Sequence, residues 1–129
     1  MKKEDLNLYE YRLEEGWTIL AGRSERDNDY LSLKLAKADE WWFHVRGMPG
    51  SHVLLRPPEG TSSDNAGKER LQLAAAVAAW HSKARAGGVV AVTCTRARFV
   101  SKPRGARPGT VSVRRETVLK VRPGLPQSR

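Results

Sequence analysis

The stretch AGKERLQLAAAVAAWHSKARAGGVVAVTC, residues 66–94, decides how this chain folds. Leu71, Ala74, Ala75, Ala78 and Ala79 recur at helical spacing and predict a helix over 66–86. Ser63, Asp64 or Asn65 can cap its start by accepting a free backbone N–H, and Gly87-Gly88 supplies the stop. The face is built mostly of small residues, so a sheet can approach it closely. Residues 89–94 form a β-branched run, which leads the helix directly into a buried strand. This pattern predicts an α+β domain: a single mixed β-sheet with one long helix packed on one face.

Upstream, residues 17–21 are apolar and β-prone, and Gly22 ends them. A polar loop over 23–27 precedes Asn28 and Asp29, either of which can cap a shorter helix over 30–37; a strand is the alternative there. Residues 41–45 and 52–56 read as strands joined by a turn over 47–50, and Pro57-Pro58 stops the second. Downstream, residues 98–100 read as a short strand, and 102–109 as a Gly/Pro loop. Segments 110–114 and 117–122 read as the arms of a hairpin around Arg115-Glu116. The organisation expected is an N-terminal extension (1–15), one domain (16–123) and a frayed tail (124–129).

The 129 residues carry a formal net charge of +9, and the pI is about 10.2, in the range of nucleic-acid binders. Residues 1–84 hold 12 basic and 13 acidic residues; residues 85–129 hold 11 basic residues and a single acid, Glu116. Solubility needs no such segregation, whereas an electrostatic footprint for a polyanion does. Membrane is the weaker partner, because no basic helix has an opposing apolar face and the apolar run 71–80 falls far short of the ~20 residues of a spanning helix. The polar start, residues 1–5, has no leader-like apolar core, and cytoplasm is the expected compartment.

Catalytic and cofactor patterns are weak. Ser51 and His52 are neighbours in sequence, without a nucleophile elbow. His44, His52, His81 and the lone Cys94 lack zinc spacing, and the glycines form no phosphate loop or dinucleotide fingerprint. The reading is a protein without catalysis, metal or cofactor.

Two stretches go further: WFHVRGMPGSHV (42–53) and VSKPRGARPGTV (100–111). With Gly22-Arg23, Asn28-Asp29, Ser82-Lys83-Ala84 and the closing strand 117–123, they resemble the RNA-binding domain of the NFACT family, which includes ribosome quality-control factors once called fibronectin-binding proteins. The resemblance covers roughly residues 16–123; Glu40 departs from it where Asp is usual. It implies binding of structured RNA, tRNA or ribosomal RNA. The large ribosomal subunit or a tRNA-modifying enzyme is a further partner that the resemblance implies. The alanine-tailing activity of large members is not expected, since it depends on a tRNA-binding domain, a helix-hairpin-helix module and a coiled coil that find no place here. A protein-interaction adaptor docking an acidic partner stays as the alternative.

The residues that would carry binding are His44, Arg46, Gly50, Ser51, His52, Lys83, Lys102, Arg104 and Arg107. The 48–51 turn can bring both histidines near Arg46, and Gly50 and Ser51 can leave backbone N–H groups open to an anion; a purely structural hairpin is equally compatible. Prolines and glycines stiffen the loop that carries Lys102, Arg104 and Arg107, which holds their charges ready for phosphates. Trp41 and Trp42 are adjacent and must face opposite sides of a strand; an exposed one could stack on an unpaired base, while core packing is the simpler fate. Lys83 and Arg85 would sit in the last helical turn and complement its dipole.

Overall fold

The computed structural model describes residues 6–126, and the expected α+β class is what forms. In chain order come β1 (Leu8–Arg12), β2 (Thr18–Gly22), α1 (Glu25–Tyr30), β3 (Trp41–Val45), β4 (Val53–Arg56), α2 (Gly67–Trp80), β5 (Val90–Arg96), β6 (Val100–Ser101), β7 (Ser112–Val113) and β8 (Thr117–Val121). A six-stranded sheet runs β1-β2-β4-β3-β5-β8, antiparallel at every pairing, and β6 with β7 makes a separate two-stranded one.

Side chains alternate across a strand, so each strand feeds two layers. Ile19, Ala21, Phe43, Val45, Val53, Leu55, Val92 and Cys94 face α2, whose Ala74, Ala75, Val77, Ala78 and Ala79 are fully buried against them. Their alternates Leu20, Trp42 and Leu54 face the other way, onto Leu31 and Val100 with Val111 and Val113 at the margin. The main core therefore lies under the alanine face, and the opposite face of the sheet is closed by α1 with its π-type turn and by the β6–β7 ladder.

Four local expectations are corrected. First, α2 ends at Trp80 instead of running to 86. The Ser82 hydroxyl donates to Ala79 O and accepts from Ala84 N, and Arg85 Nε donates to Trp80 O, so side chains satisfy backbone groups that another helical turn would have used. Second, the short helix starts earlier, at Glu25. Its cap is Ser24, which accepts from Asp27 N at 3.1 Å, and a π-type turn over Leu31–Leu35 follows, leaving Asn28 and Asp29 inside the helix with their side chains free for other work.

Third, the stretch assigned to an extension contains β1, paired with β2 from Leu8↔Gly22 to Arg12↔Thr18. Tyr9 and Tyr11 pack on the core from this edge strand while Glu10 and Arg12 point to solvent. Fourth, residues 97–99 form a 3-10 turn, and the 110–122 hairpin does not close. Thr95 Oγ1 donates to Arg114 O (2.8 Å) and to Arg115 O (3.3 Å), which parts the two arms: β7 pairs with β6 and β8 with β5. Gly124 N donates to Ala76 O, so the tail begins docked on α2; its last three residues, like residues 1–5, lie outside the described residues.

Candidate nucleic-acid interface

The motif residues meet at one corner. Asn28 Oδ1 accepts from His52 N at 3.0 Å, Gly22 N donates to His52 O, and Ser51 Oγ donates to Gly22 O at 2.6 Å. A Cβ at Gly22 would fall 2.0 Å from Asn28 Oδ1, so only glycine lets the asparagine lie flat across β2. His52, 2% exposed, places Nδ1 2.7 Å from the Ser32 hydroxyl, which also accepts from Trp42 Nε1 at 2.8 Å. Burial beside His44 pushes the His52 pKa down to about 4, against smaller upward pulls from Asp29 and from backbone bonds to Gly109 and Asn28. A buried, neutral imidazole held through Nδ1 by Ser32 and packed edge-on against Trp42 is a structural tie that joins the start of β4 to the π-type turn.

That loop is clamped at its base. The Lys102 ammonium donates to Asp29 Oδ2 (3.0 Å), Arg107 O and Thr110 O (3.0 Å), while Asp29 Oδ1 accepts from Gly109 N at 3.0 Å. All three ammonium donors are consumed, so Lys102 organises the loop. Arg104 and Arg107 stand exposed on it, and among the described residues no carboxylate pairs with either.

A second surface lies where the 48–51 turn meets the end of α2. Ser51 N donates to His81 O, and Gly50 forms a β-bridge with Ser82; a Cβ on Gly50 would come 2.8 Å from Ser82 Cβ. The Ser51 N–H expected to await an anion is thus already occupied. The turn instead forms one wall of an open groove of about 350 Å³ lined by Tyr9, Arg23, Lys83, Arg85 and His81. Its lining contains no carboxylate. Tyr9 stacks on His81 with ring centres 4.0 Å apart, and Tyr11 Oη lies 2.6 Å from His81 Nε2. The Arg23 guanidinium sits 4.5 Å over Tyr9, and Arg85 sits 4.4 Å over Trp80. Burial, with Arg85 and Arg23 nearby, holds the His81 pKa down at about 4. Two guanidinium groups held over aromatic rings, with Arg85 Nε anchored on Trp80 O, are placed at little further entropic cost beside the groove, which suits them to phosphate.

The other expected site residues are dispersed. His44 is half-buried, 5.2 Å from His52 in an edge-on arrangement. Burial lowers its pKa, partly offset by a hydrogen bond with the Gly50 backbone. With His52, Thr93, Thr110, Val111 and Glu116 it lines a cleft of about 250 Å³ on the sheet face opposite α2. Arg46 is exposed beyond the end of β3. Neither tryptophan offers a free face for stacking: Trp42 is 1% exposed, and Trp41 donates to Ser63 O under an Arg96 guanidinium 3.7 Å from its ring. Glu40, the departure noted in the sequence, is buried and grips Arg56 through both carboxylate oxygens. Among the described residues no three His, Cys, Asp or Glu side chains gather to hold a metal, and no helix is long and apolar enough to cross a membrane.

Sequence reasoning missed Arg23, Tyr9 and His81 as groove residues and took Arg85 only as a complement to the helix dipole. The alternation of Tyr9 and Tyr11 with charged residues was the available signal for β1, and with it for the aromatic wall.

Fold and surfaces together define a small helix-backed sheet domain that gathers cations from distant segments around a groove whose lining has no carboxylate. The family described as the NFACT protein RNA binding domain matches residues 7–115, and the chain belongs to it. The match takes in β1. The chain is 39% identical over 102 residues to the Rqc2 homolog RqcH of Bacillus subtilis, spanning 79% of this chain and 17% of that protein. To the protein of the same name from Streptococcus suis it is 39% identical over 118 residues, 88% of this chain and 20% of the relative. It therefore spans a fifth or less of the length of these relatives. The solved C-terminal part of the fibronectin/fibrinogen-binding protein from Streptococcus suis superposes with a TM-score of 0.81 at 36% identity, covering 91% of this chain and 46% of that one.

Proposed function

We propose that this chain is a non-catalytic cytoplasmic module that binds structured RNA, tRNA or ribosomal RNA, in the setting of translation. Ribosome quality control is the leading context, given relatives that are Rqc2 homologs, and tRNA modification the second. The observation that carries the reading is the groove that draws Arg23, Lys83 and Arg85 from separate segments around a lining without a single carboxylate. Backbone phosphates enter this groove, and Arg104 and Arg107 on their clamped loop take neighbouring ones. His44, at the rim of the smaller cleft, is placed to touch a ribose or base edge.

The test is fluorescence anisotropy with purified tRNA and a ribosomal RNA fragment. Arg23→Gln combined with Lys83→Gln should weaken binding to both by tenfold or more while the protein melts like wild type. If wild type binds neither RNA, the basic face serves an acidic protein partner instead.

A further inference from the structure

A third cationic surface, absent from the sites above, surrounds Phe99. The guanidinium carbons of Arg98, Arg115 and Arg114 stand 5.0, 5.6 and 5.9 Å from the centre of its half-exposed ring. Arg98 is paired with Asp39; among the described residues, no carboxylate pairs with Arg114 or Arg115. The chain concentrates like charge here, and the ring's quadrupole offsets only part of that repulsion.

The arrangement is held from beneath. Arg115 has φ 52, a left-handed conformation that residues with a Cβ disfavour. It is kept there by Thr95, 2% exposed, whose hydroxyl donates to the carbonyls of both Arg114 and Arg115, while Arg114 N donates to Phe99 O at 3.0 Å. A buried side chain thus fixes a disfavoured backbone whose two outward residues are unpaired arginines flanking an aromatic ring. A local conformation held in this way keeps the two arginines in fixed positions beside the ring.

We propose that Phe99 with Arg98, Arg114 and Arg115 is a second RNA contact, one that takes an unpaired nucleotide. An unpaired base stacks against the ring or a guanidinium plane, and its flanking phosphates reach the free arginine forks. A duplex, whose bases are already stacked on each other, gains only the charge. The inference rests on the RNA-binding reading and adds selectivity for single-stranded elements, such as loops and ends, to the groove's general grip.

The experiment compares a single-stranded 12-mer with a duplex of equal length, using the full chain. Phe99→Leu preserves bulk and apolarity; Arg115→Gly removes a cation and suits a left-handed φ. Each should weaken the single strand about tenfold and the duplex less than twofold. The Arg23→Gln, Lys83→Gln variant should weaken both. A photoreactive 4-thiouridine in the single strand should crosslink to the peptide containing Phe99. Equal losses for the two RNAs, or no loss for either, would overturn the stacking site while leaving the groove reading intact. Absence of any RNA binding by wild type would instead remove that reading first. If Phe99→Leu fails to fold, Arg114→Gln with Arg115→Gly decides by the same comparison.

Discussion

His44 and His52 look alike in sequence, both polar residues beside a tight turn, yet the structure gives them different roles. Both line the same cleft, but His52 is 2% exposed, bonded to Ser32 and packed edge-on against Trp42, whereas His44 is only half-buried. A histidine whose folded pKa lies near 4, below its unfolded value of about 6.5, gives stability that is complete above the unfolded value. That stability is lost as pH falls from about 6.5 toward 4, on the order of 2–4 kcal/mol for His52. Proton NMR should find the His52 ring neutral down to about pH 5 and the melting temperature falling through the same window; a ring that titrates near 6.5 counts against the buried tie. His44→Ala, by contrast, should melt like wild type and weaken a preferred RNA more than a random one, with little change in salt dependence. Sequence showed the motif but not this division of labour, because burial depends on Ser32 and Gly109, which lie 20 and 57 residues from His52.

At the scale of elements, the long helix, the strands of residues 17–21, 41–45 and 52–56, and the stiff loop were legible because hydrophobic period, glycine and proline are local signals. Helix ends and strand partners were not. The stop at Trp80 comes from Ser82 and Arg85 side chains, and the pairing of β7 with β6 comes from a threonine some twenty residues upstream. Lys102 illustrates the same limit: sequence marks a cation in a basic loop, whereas all its donors turn inward. Lys102→Met should therefore loosen the loop, and limited trypsin digestion should cut after Arg104 several-fold faster. Arg104→Ala and Arg107→Ala should leave the loop intact, weaken all RNAs by similar factors and each reduce the salt slope by about one contact. Unchanged cleavage in Lys102→Met would mean that Asp29 and the prolines hold the loop alone.

Across the whole molecule, the segregation of charge into residues 85–129 was visible from the start, and it pointed to a polyanion before any shape was known. What it concealed is that the groove also recruits Arg23 and Lys83 from the nearly neutral residues 1–84. With about four phosphates engaged, the slope of log affinity against log salt should be near −3. Titrations at 50, 100 and 200 mM salt would check this, and a flat response would exclude an electrostatic grip.

Cys94 lies 2% exposed on β5 beneath the alanine face, and burial raises its thiol pKa to about 11. A sulfur that stays protonated and covered is a poor nucleophile, so maleimide dyes pass it by at neutral pH. A cysteine introduced at Arg104 would then be the one reactive handle on the surface described here. Loop motion and RNA arrival could be followed through a single fluorophore without first engineering the native thiol away.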